Sequence, residues 1–420
     1  MSTNLKRIIN DLEKLATFTA TPNQGVTRVS YSKEDKLAKQ FLIDKAKKMK
    51  LHYYEDGYGT LFIRKEGKIK DAPVVMHGSH YDTVYNGGAF DGAAGIIASL
   101  EVMRVLVEEK FENDYPIEMI IMNAEEGGIF GPSTGVSNSR AIVGTMTEWE
   151  LDNTRNKYGL TKREAMKQYG LEVNLEKAKR DPDTIKNFVE LHIEQGSILD
   201  RKNKDIGIIE YLAGIGRYWI RFTGVGADST MKMSKRRNAL LAASDFTVRF
   251  DEIITEMGED ITGMVGQMKI IPNSSQFVPE FVEGKIEIRT FSKEIAYKYD
   301  FNKIILDLLN NVGDKYGVDT SFEEIRRINY PNPTSPSIMN QENVEILKEI
   351  CNELGYSYLI MNNGTGHDSM IMTDFVDTNM IYVPSKNDGV SHCPEELTDY
   401  QDIKKGADVL LNFIKRISVK

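Results

Sequence analysis

The sequence predicts an α/β protein: a main domain on a mixed, mostly parallel sheet, carrying an inserted α+β module of ferredoxin-like type. Three observations carry this reading. Apolar strand-like runs alternate with helical segments at both ends of the chain, the pattern of a sheet covered on both faces. Several of those runs end directly in Gly, His and carboxylate clusters, and the carboxyl ends of strands are where open α/β sheets build their sites. Between them, residues 214–330 follow the order β-α-β-β-α-β. The expected division is therefore 1–213 with 331–420 as the main domain and 214–330 as the inserted module, a fair fit to 420 residues.

Taken in order, residues 4–17 have Leu5, Ile8, Ile9, Leu12 and Leu15 at helical spacing, and 33–49 make a second amphipathic helix. His52–Glu55 and Thr60–Ile63 form a hairpin turned at Asp56-Gly57. Pro73-Val74-Val75-Met76 is a strand that enters the Gly-rich stretch Gly78-Ser79-His80-Tyr81-Asp82-Thr83-Val84. Beyond Asp91 the residues become those of a buried helix: Ala93, Ala94, Ile96, Ile97, Ala98, Leu100 and Val102. Pro116–Met122 is a second buried strand, ending at Asn123-Ala124-Glu125-Glu126-Gly127-Gly128. After short polar helices, including 160–169, Phe188–Gly196 is a third. The inserted module reads as a strand at Tyr218–Phe222, a helix at Asn238–Ile254, strands at Thr262–Ile271 and Glu280–Arg289, a helix at Tyr297–Tyr316 and a strand at Thr320–Ile328. The chain then returns to a helix at Val344–Leu354, strands at Tyr358–Ile360 and Met380–Val383, and a final helix over 398–416.

A formal net charge of −9, with no basic stripe, argues against a nucleic-acid surface. Two cysteines, Cys351 and Cys393, cannot supply a disulfide framework, which points to a reducing compartment. No stretch resembles a secretory signal or is apolar for long enough to span a membrane. The expectation is a cytoplasmic protein that handles a small molecule.

Of six histidines, His80, His192, His367 and His392 sit at or just past the end of an apolar run, beside Gly or carboxylates. The set His80, Asp82, Asp91, Glu125, Glu126, His192 and His392 offers imidazole and carboxylate donors suited to two divalent ions of the zinc type, which a carboxylate such as Asp91 can bridge. Of the adjacent acids Glu125 and Glu126, one can bind metal while the other moves a proton. No Ser-His-Asp arrangement on a nucleophile elbow and no phosphate-cradling Gly loop is present.

Four motifs carry a family resemblance: Gly78–Val84 with Gly87-Gly88-Ala89-Phe90-Asp91-Gly92; Glu125-Glu126-Gly127 with Phe130-Gly131-Pro132; Glu190-Leu191-His192-Ile193-Glu194-Gln195-Gly196; and Gly366-His367-Asp368 with Ser391-His392-Cys393-Pro394-Glu395-Glu396. From about residue 70 to the end, the chain resembles the dimetal amidohydrolases related to aminoacylases, above all the N-carbamoyl-L-amino-acid hydrolases, β-ureidopropionases and allantoate amidohydrolases. The resemblance implies two divalent ions per chain, zinc or manganese, cobalt or nickel. It implies ligation by His80, Asp91 as bridge, Glu126, His192 and His392. Glu125 would be the general base and then acid, Asp82 would orient His80, and Gln195, Gln276, His367, Asp228 and Arg289 would face the substrate, with Arg289 gripping its carboxylate. The inserted module would act as a lid and hold a homodimer together.

The chain departs from that pattern in the inserted module. The family carries a His within the segment here written Gly224–Met233, yet no His lies between His192 and His367. Counted forward from Gly224, Asp228 takes its place; counted back from Arg236-Arg237, Ala227 does. Neither side chain can donate to an oxyanion at neutral pH. Gln276 stands where the family has Asn. The function expected is hydrolysis of a linear C–N amide in a small acid, foremost an N-carbamoyl amino acid. A dipeptidase or N-acyl-amino-acid deacylase, and a metal-binding protein without turnover, are the alternatives.

Overall fold

In the computed structural model, residues 2–131, 134–325 and 335–420 are described. Pro132, the end of the strand expected to reach Ile328 and the expected boundary at 330/331 lie outside them. The chain forms two compact units, one of Met1–Glu210, Ile338–Met361 and Gly366–Lys420, the other of Tyr211–Ser337 and Asn362–Thr365.

The first unit is organised on a sheet whose strands, in chain order, are β1 (His52–Glu55), β2 (Leu61–Lys65), β3 (Val74–His80), β4 (Ile117–Met122), β5 (Ile185–Ile193) and β6 (Ile206–Leu212). The second unit contributes β7 (Gly214–Thr223), β8 (Ala227–Asp228), β9 (Ile261–Ile271), β10 (Phe277–Val278), β11 (Phe281–Thr290) and β12 (Asp319–Glu324). After it come β13 (Ser337–Ile338), β14 (Tyr358–Asn363) and β15 (Thr378–Val383). Among the described residues the large sheet runs β1-β2-β4-β3-β5-β15-β6-β13, with β14 beside β6. Its centre, β4-β3-β5-β15, is parallel, and β2 and β6 flank it antiparallel. Every residue of β3, β4 and β15 is buried, as a central strand covered on both faces requires.

The helix Ala93–Glu108 explains its own burial. Ile96, Ile97, Leu100, Val102, Met103 and Leu106 are each fully enclosed, a stabilisation of about 1.5–3 kcal/mol per side chain before entropy is counted. It packs with the helices Leu5–Ala16 and Tyr400–Ile417. On other side chains of the sheet Phe62, Met76, Ile120 and Phe188 form a second cluster with Ile142 and Met372. The strand Ile206–Leu212 was not among the strands expected from sequence, and the helix expected over Tyr297–Tyr316 is two helices, Lys293–Lys298 and Phe301–Tyr316. Tyr299 between them is extended, and Asp300 caps the second by accepting from the Lys303 N–H at 3.0 Å.

The second unit is a four-stranded antiparallel sheet in the order β12-β7-β11-β9, the 4-1-3-2 arrangement of a ferredoxin-like module. Burial alternates strictly along β11, and the inward set, Val282, Ile286 and Ile288, packs with Phe246, Phe250 and Leu309 of the helices Ala239–Glu256 and Phe301–Tyr316. The outward set carries cross-strand ion pairs, Arg217–Glu287 and Arg221–Glu283. Among the described residues no helix is long and apolar enough to cross a membrane.

Candidate metal centre

The four central parallel strands end on the same edge, and each delivers part of one constellation. His80 is the last residue of β3, His192 the penultimate residue of β5, Glu125 and Glu126 follow β4 by three and four residues, and the loop after β15 carries His392. Asp91 lies just before the helix Ala93–Glu108, whose first turn starts at Gly92. Gly92 has φ +60°, and a Cβ there would stand 2.5 Å from the His80 ring. Only glycine lets that helix begin against the imidazole.

Asp91 is buried and its two oxygens face different groups. Oδ1 is 3.1 Å from His192 Nε2 and 3.5 Å from His80 Nε2; Oδ2 is 3.1 Å from His392 Nε2. Glu126 Oε1 is 3.3 Å from the same His392 nitrogen. The donors therefore form two sets, His80–Asp91–His192 and Asp91–Glu126–His392, with all ligand atoms of a set within 4.8 Å of one another. Asp82 and Glu125 belong to neither.

Hydrogen bonds fix the imidazoles for cation binding. His80 Nδ1 is 3.2 Å from the Asp82 carbonyl and His192 Nδ1 is 2.9 Å from the Ile193 carbonyl. A carbonyl only accepts, so each Nδ1 carries the proton and each Nε2 presents a lone pair. Those two Nε2 atoms stand 3.4 Å apart and both face Asp91 Oδ1, while the Gly92 N–H lies 3.2 Å from the His192 nitrogen. Electron-rich atoms converging in this way fit a divalent cation. The surrounding carboxylates favour positive charge here, whether a cation on the two Nε2 atoms or a proton. Burial disfavours charge on His80 and His192, but the surrounding carboxylates outweigh it and raise both pKa values. Asp91 and Glu126 push His392 up to about 11, and the three imidazoles hold Asp91 well below the usual carboxylate range despite its burial.

The remaining residues expected from sequence fall as follows. Asp82 accepts the Glu125 N–H on Oδ1 and the Glu126 N–H on Oδ2, both at 3.1 Å, so its carboxylate holds the backbone of the acid pair as well as lying 3.5 Å from His80. Glu125 Oε2 is 4.0 Å from His80 Nε2. Gln195 donates to Asp91 Oδ2 at 2.7 Å and lies 3.4 Å from His392. Gln195 and His392 both have φ in the left-handed region, at 53° and 59°, a strain of order 1–3 kcal/mol each that sits at the site itself. His367 is 1% exposed, its Nε2 2.7 Å from the Tyr382 hydroxyl and its ring packed edge-on against His192 at 4.5 Å. Burial and the neighbouring His192 hold it neutral. Asp228 and Gln276 come together in the second unit, where β8 and β10 form a short ribbon. Asp228 accepts the Thr230 N–H at 2.9 Å, and the Gln276 carbonyl accepts the Ser229 N–H. Arg289, on β11, pairs with Glu287 at 2.8 Å and donates to the Gly364 carbonyl.

Glu396 was missed as a working residue. It is 4% exposed; Oε1 accepts the N–H groups of Phe90 and Asp91, each at 2.9 Å, and Oε2 accepts the Ser391 hydroxyl at 2.8 Å, whose oxygen also lies 3.0 Å from Asp91 Oδ2. It thus ties the Asp91 turn to the His392 loop. The only signal in sequence was its place in the Cys393-Pro394-Glu395-Glu396 run.

Residues 76–416 match the family model described as Peptidase family M20/M25/M40. An uncharacterised hydrolase of Haemophilus influenzae is 35% identical over 416 residues, 99% of this chain and 98% of that protein. The N-carbamoyl-L-amino acid amidohydrolase of Geobacillus stearothermophilus is 33% identical over 418 residues, covering 98% of both. A crystal structure of an amidase of the hydantoinase/carbamoylase family from Burkholderia multivorans superposes with a TM-score of 0.84 at 30% identity, covering 100% of this chain and 99% of that one.

Proposed function

The chain belongs to Peptidase family M20/M25/M40, and from that premise we propose that it is a two-metal amidohydrolase whose substrates are N-carbamoyl amino acids. The observation that carries the reading is the division of the Asp91 oxygens between two ligand sets, with Glu125 4.0 Å from His80 of the first set, adjacent in sequence to Glu126 of the second, and part of neither. The relatives' names support the substrate class. Two divalent ions, zinc or else manganese, cobalt or nickel, held by His80, Asp91, Glu126, His192 and His392 would polarise the scissile carbonyl and acidify the attacking water.

The protein's own groups supply the rest. Glu125 takes the proton of the attacking water on a carboxylate oxygen and returns it to the leaving nitrogen as the C–N bond breaks. Asp82 keeps that carboxylate in place through the Glu125 and Glu126 N–H groups. Gln195, Ser391 and Glu396 fix Asp91, and Tyr382 with His367 backs the His192 ring. The substrate's own carboxylate is assigned to Arg289, whose planar guanidinium suits a bidentate contact.

The test is metal analysis of the purified chain followed by a screen of ureido acids, allantoate, dipeptides and N-acyl amino acids, each as the acid and as its carboxamide. Two divalent ions per chain, loss of activity on chelation and preferential turnover of a ureido acid over its carboxamide are expected. Turnover confined to dipeptides or acyl amino acids moves the assignment to the dipeptidase or deacylase reading, and no turnover of any compound favours a metal-binding protein without activity. A homodimer joined through the second unit belongs to the same proposal. It is supported by β9, eleven residues long and paired on one side only among the described residues. Sedimentation should give twice the chain mass of 47.6 kDa, and a monomer at micromolar concentration would remove this part.

A further inference from the structure

Beyond the ligands, the ends of β3 and β4 need something to hold them in register. The ladder between the two strands finishes at His80 and Met122, and the Tyr81 N–H to Met122 carbonyl bond at 3.0 Å follows it. Past that point the chains diverge into Asp82 on one side and Asn123 to Glu126 on the other. A buried carboxylate from the N-terminal part of the chain spans them. Asp35, in the first turn of the helix Lys33–Met49, is 0% exposed. Its Oδ2 accepts Asn123 Nδ2 at 3.1 Å and the Tyr31 N–H at 2.6 Å; its Oδ1 accepts the hydroxyls of Tyr81 and, at 3.2 Å, Tyr169. Tyr81 lies between His80 and Asp82, and Asn123 is two residues before Glu125. The segment leading to Asp35 reinforces the same edge. Arg28, fully buried, donates to the Tyr81 carbonyl at 2.6 Å, the Thr83 N–H reaches the Arg28 carbonyl at 3.0 Å, and the Ser30 hydroxyl donates to Asp82 at 3.2 Å. Arg28, Ser30 and Asp35 precede the region matched by the family model.

We propose that Asp35 is a positioning residue for the two-metal centre, setting the distance between the strand end that carries His80 and the turn that carries Glu125 and Glu126. The carboxylate satisfies four donors from four separate places, and two of those donors belong to the backbone neighbours of the site, so its replacement shifts the donor atoms relative to one another. Groups bonded directly to metal ligands typically change metal affinity by about 10–100-fold, and Asp35, which reaches the ligands through Tyr81 and Asn123, is expected to act within that range.

The inference rests on the two-metal reading above, and its experiment separates the two. The full-length chain is stripped with a chelator and titrated with Co²⁺, following the visible absorption of the bound ion. Native protein is expected to bind two Co²⁺. Asp35→Asn is expected to bind them about 10–100-fold more weakly with an altered spectrum, and Tyr81→Phe to shift both in the same direction by a smaller factor. The altered Co²⁺ spectrum, read on variants whose circular dichroism is native, is the signature that a general loss of stability would not predict. Native affinity and spectrum in both single variants overturn the proposal; if Asp35→Asn fails to fold, Tyr81→Phe decides alone. Native protein that binds no Co²⁺ overturns this inference together with the metal assignment, whereas native protein that binds while the variants are unaffected overturns this inference only.

Discussion

Glu125→Gln is expected to keep both metal ions and to lose turnover by roughly 10²–10⁴-fold, the range that a positioned general acid–base group contributes. The geometry separates the two effects. Glu125 supplies no atom to either ligand set, and its backbone is held by Asp82 through an N–H that glutamine also has. The amide preserves shape but removes the charge and the capacity to accept a proton. Burial raises the proton affinity of this carboxyl, with the nearby Glu126 charge adding to it and His80 opposing it, which suits a group that must take a proton and hand it on. kcat on the best ureido acid, measured beside metal content, checks the expectation. A variant within tenfold of the native kcat would remove Glu125 from the mechanism.

Asp91→Asn attacks the other half of the constellation. Asp91 serves one set through Oδ1 and the other through Oδ2, and asparagine has only one oxygen to offer. Its NH₂ would point lone-pair-free hydrogens at one group of ligands. Metal content should fall from two ions to at most one per chain. Since a catalytic ion supplies several kcal/mol of charge stabilisation, activity should drop by about a thousandfold or more. Two ions retained with activity near native would show that the two sets do not share this residue.

The sequence carried much of this arrangement because the central strands are covered on both faces. Val74–Met76 and Met380–Val383 are continuously apolar and Ile117–Met122 is apolar but for Glu118, whose buried carboxylate pairs with Arg64 and Arg180, so a polar cluster directly after such a run stands out. The strand Ile206–Leu212 was harder to see, since its Gly207 weakens any strand pattern. The structure supplies the reason for that glycine: a Cβ there would meet Met361 Sδ at 2.7 Å and Tyr382 Cβ at 3.0 Å. The break at Tyr299-Asp300 was hidden because apolar residues continue at helical spacing across it, and only the cap on Lys303 marks the restart. Asp35 and Glu396 were illegible for a different reason. Each works through partners far away in sequence, Asn123 and Tyr81 for one, Phe90 and Asp91 for the other, and a lone acid on a helix or in a loop gives no sign of such a partner. The second unit is where the resemblance and this chain part company. Of the two candidates for the place of the family's His, Asp228 is exposed and Ala227 half-buried, and no histidine occurs in the sequence of that unit.

The order of the sheet also governs when the protein can become active during its synthesis. β15 docks in parallel on Phe188–Ile193 of β5, yet the whole second unit is encoded between them. At about 5–20 residues per second, a nascent chain carries an open, apolar β5 edge for on the order of ten seconds or more before its neighbour leaves the ribosome. His392 emerges later still. A chain that stops between His192 and β15 holds His80, Asp91, Glu126 and His192 but lacks His392 of the second ligand set, so such an interrupted translation product is an incomplete candidate metal site with an unprotected strand edge. For the cell, such a fragment is a target for chaperones and proteases.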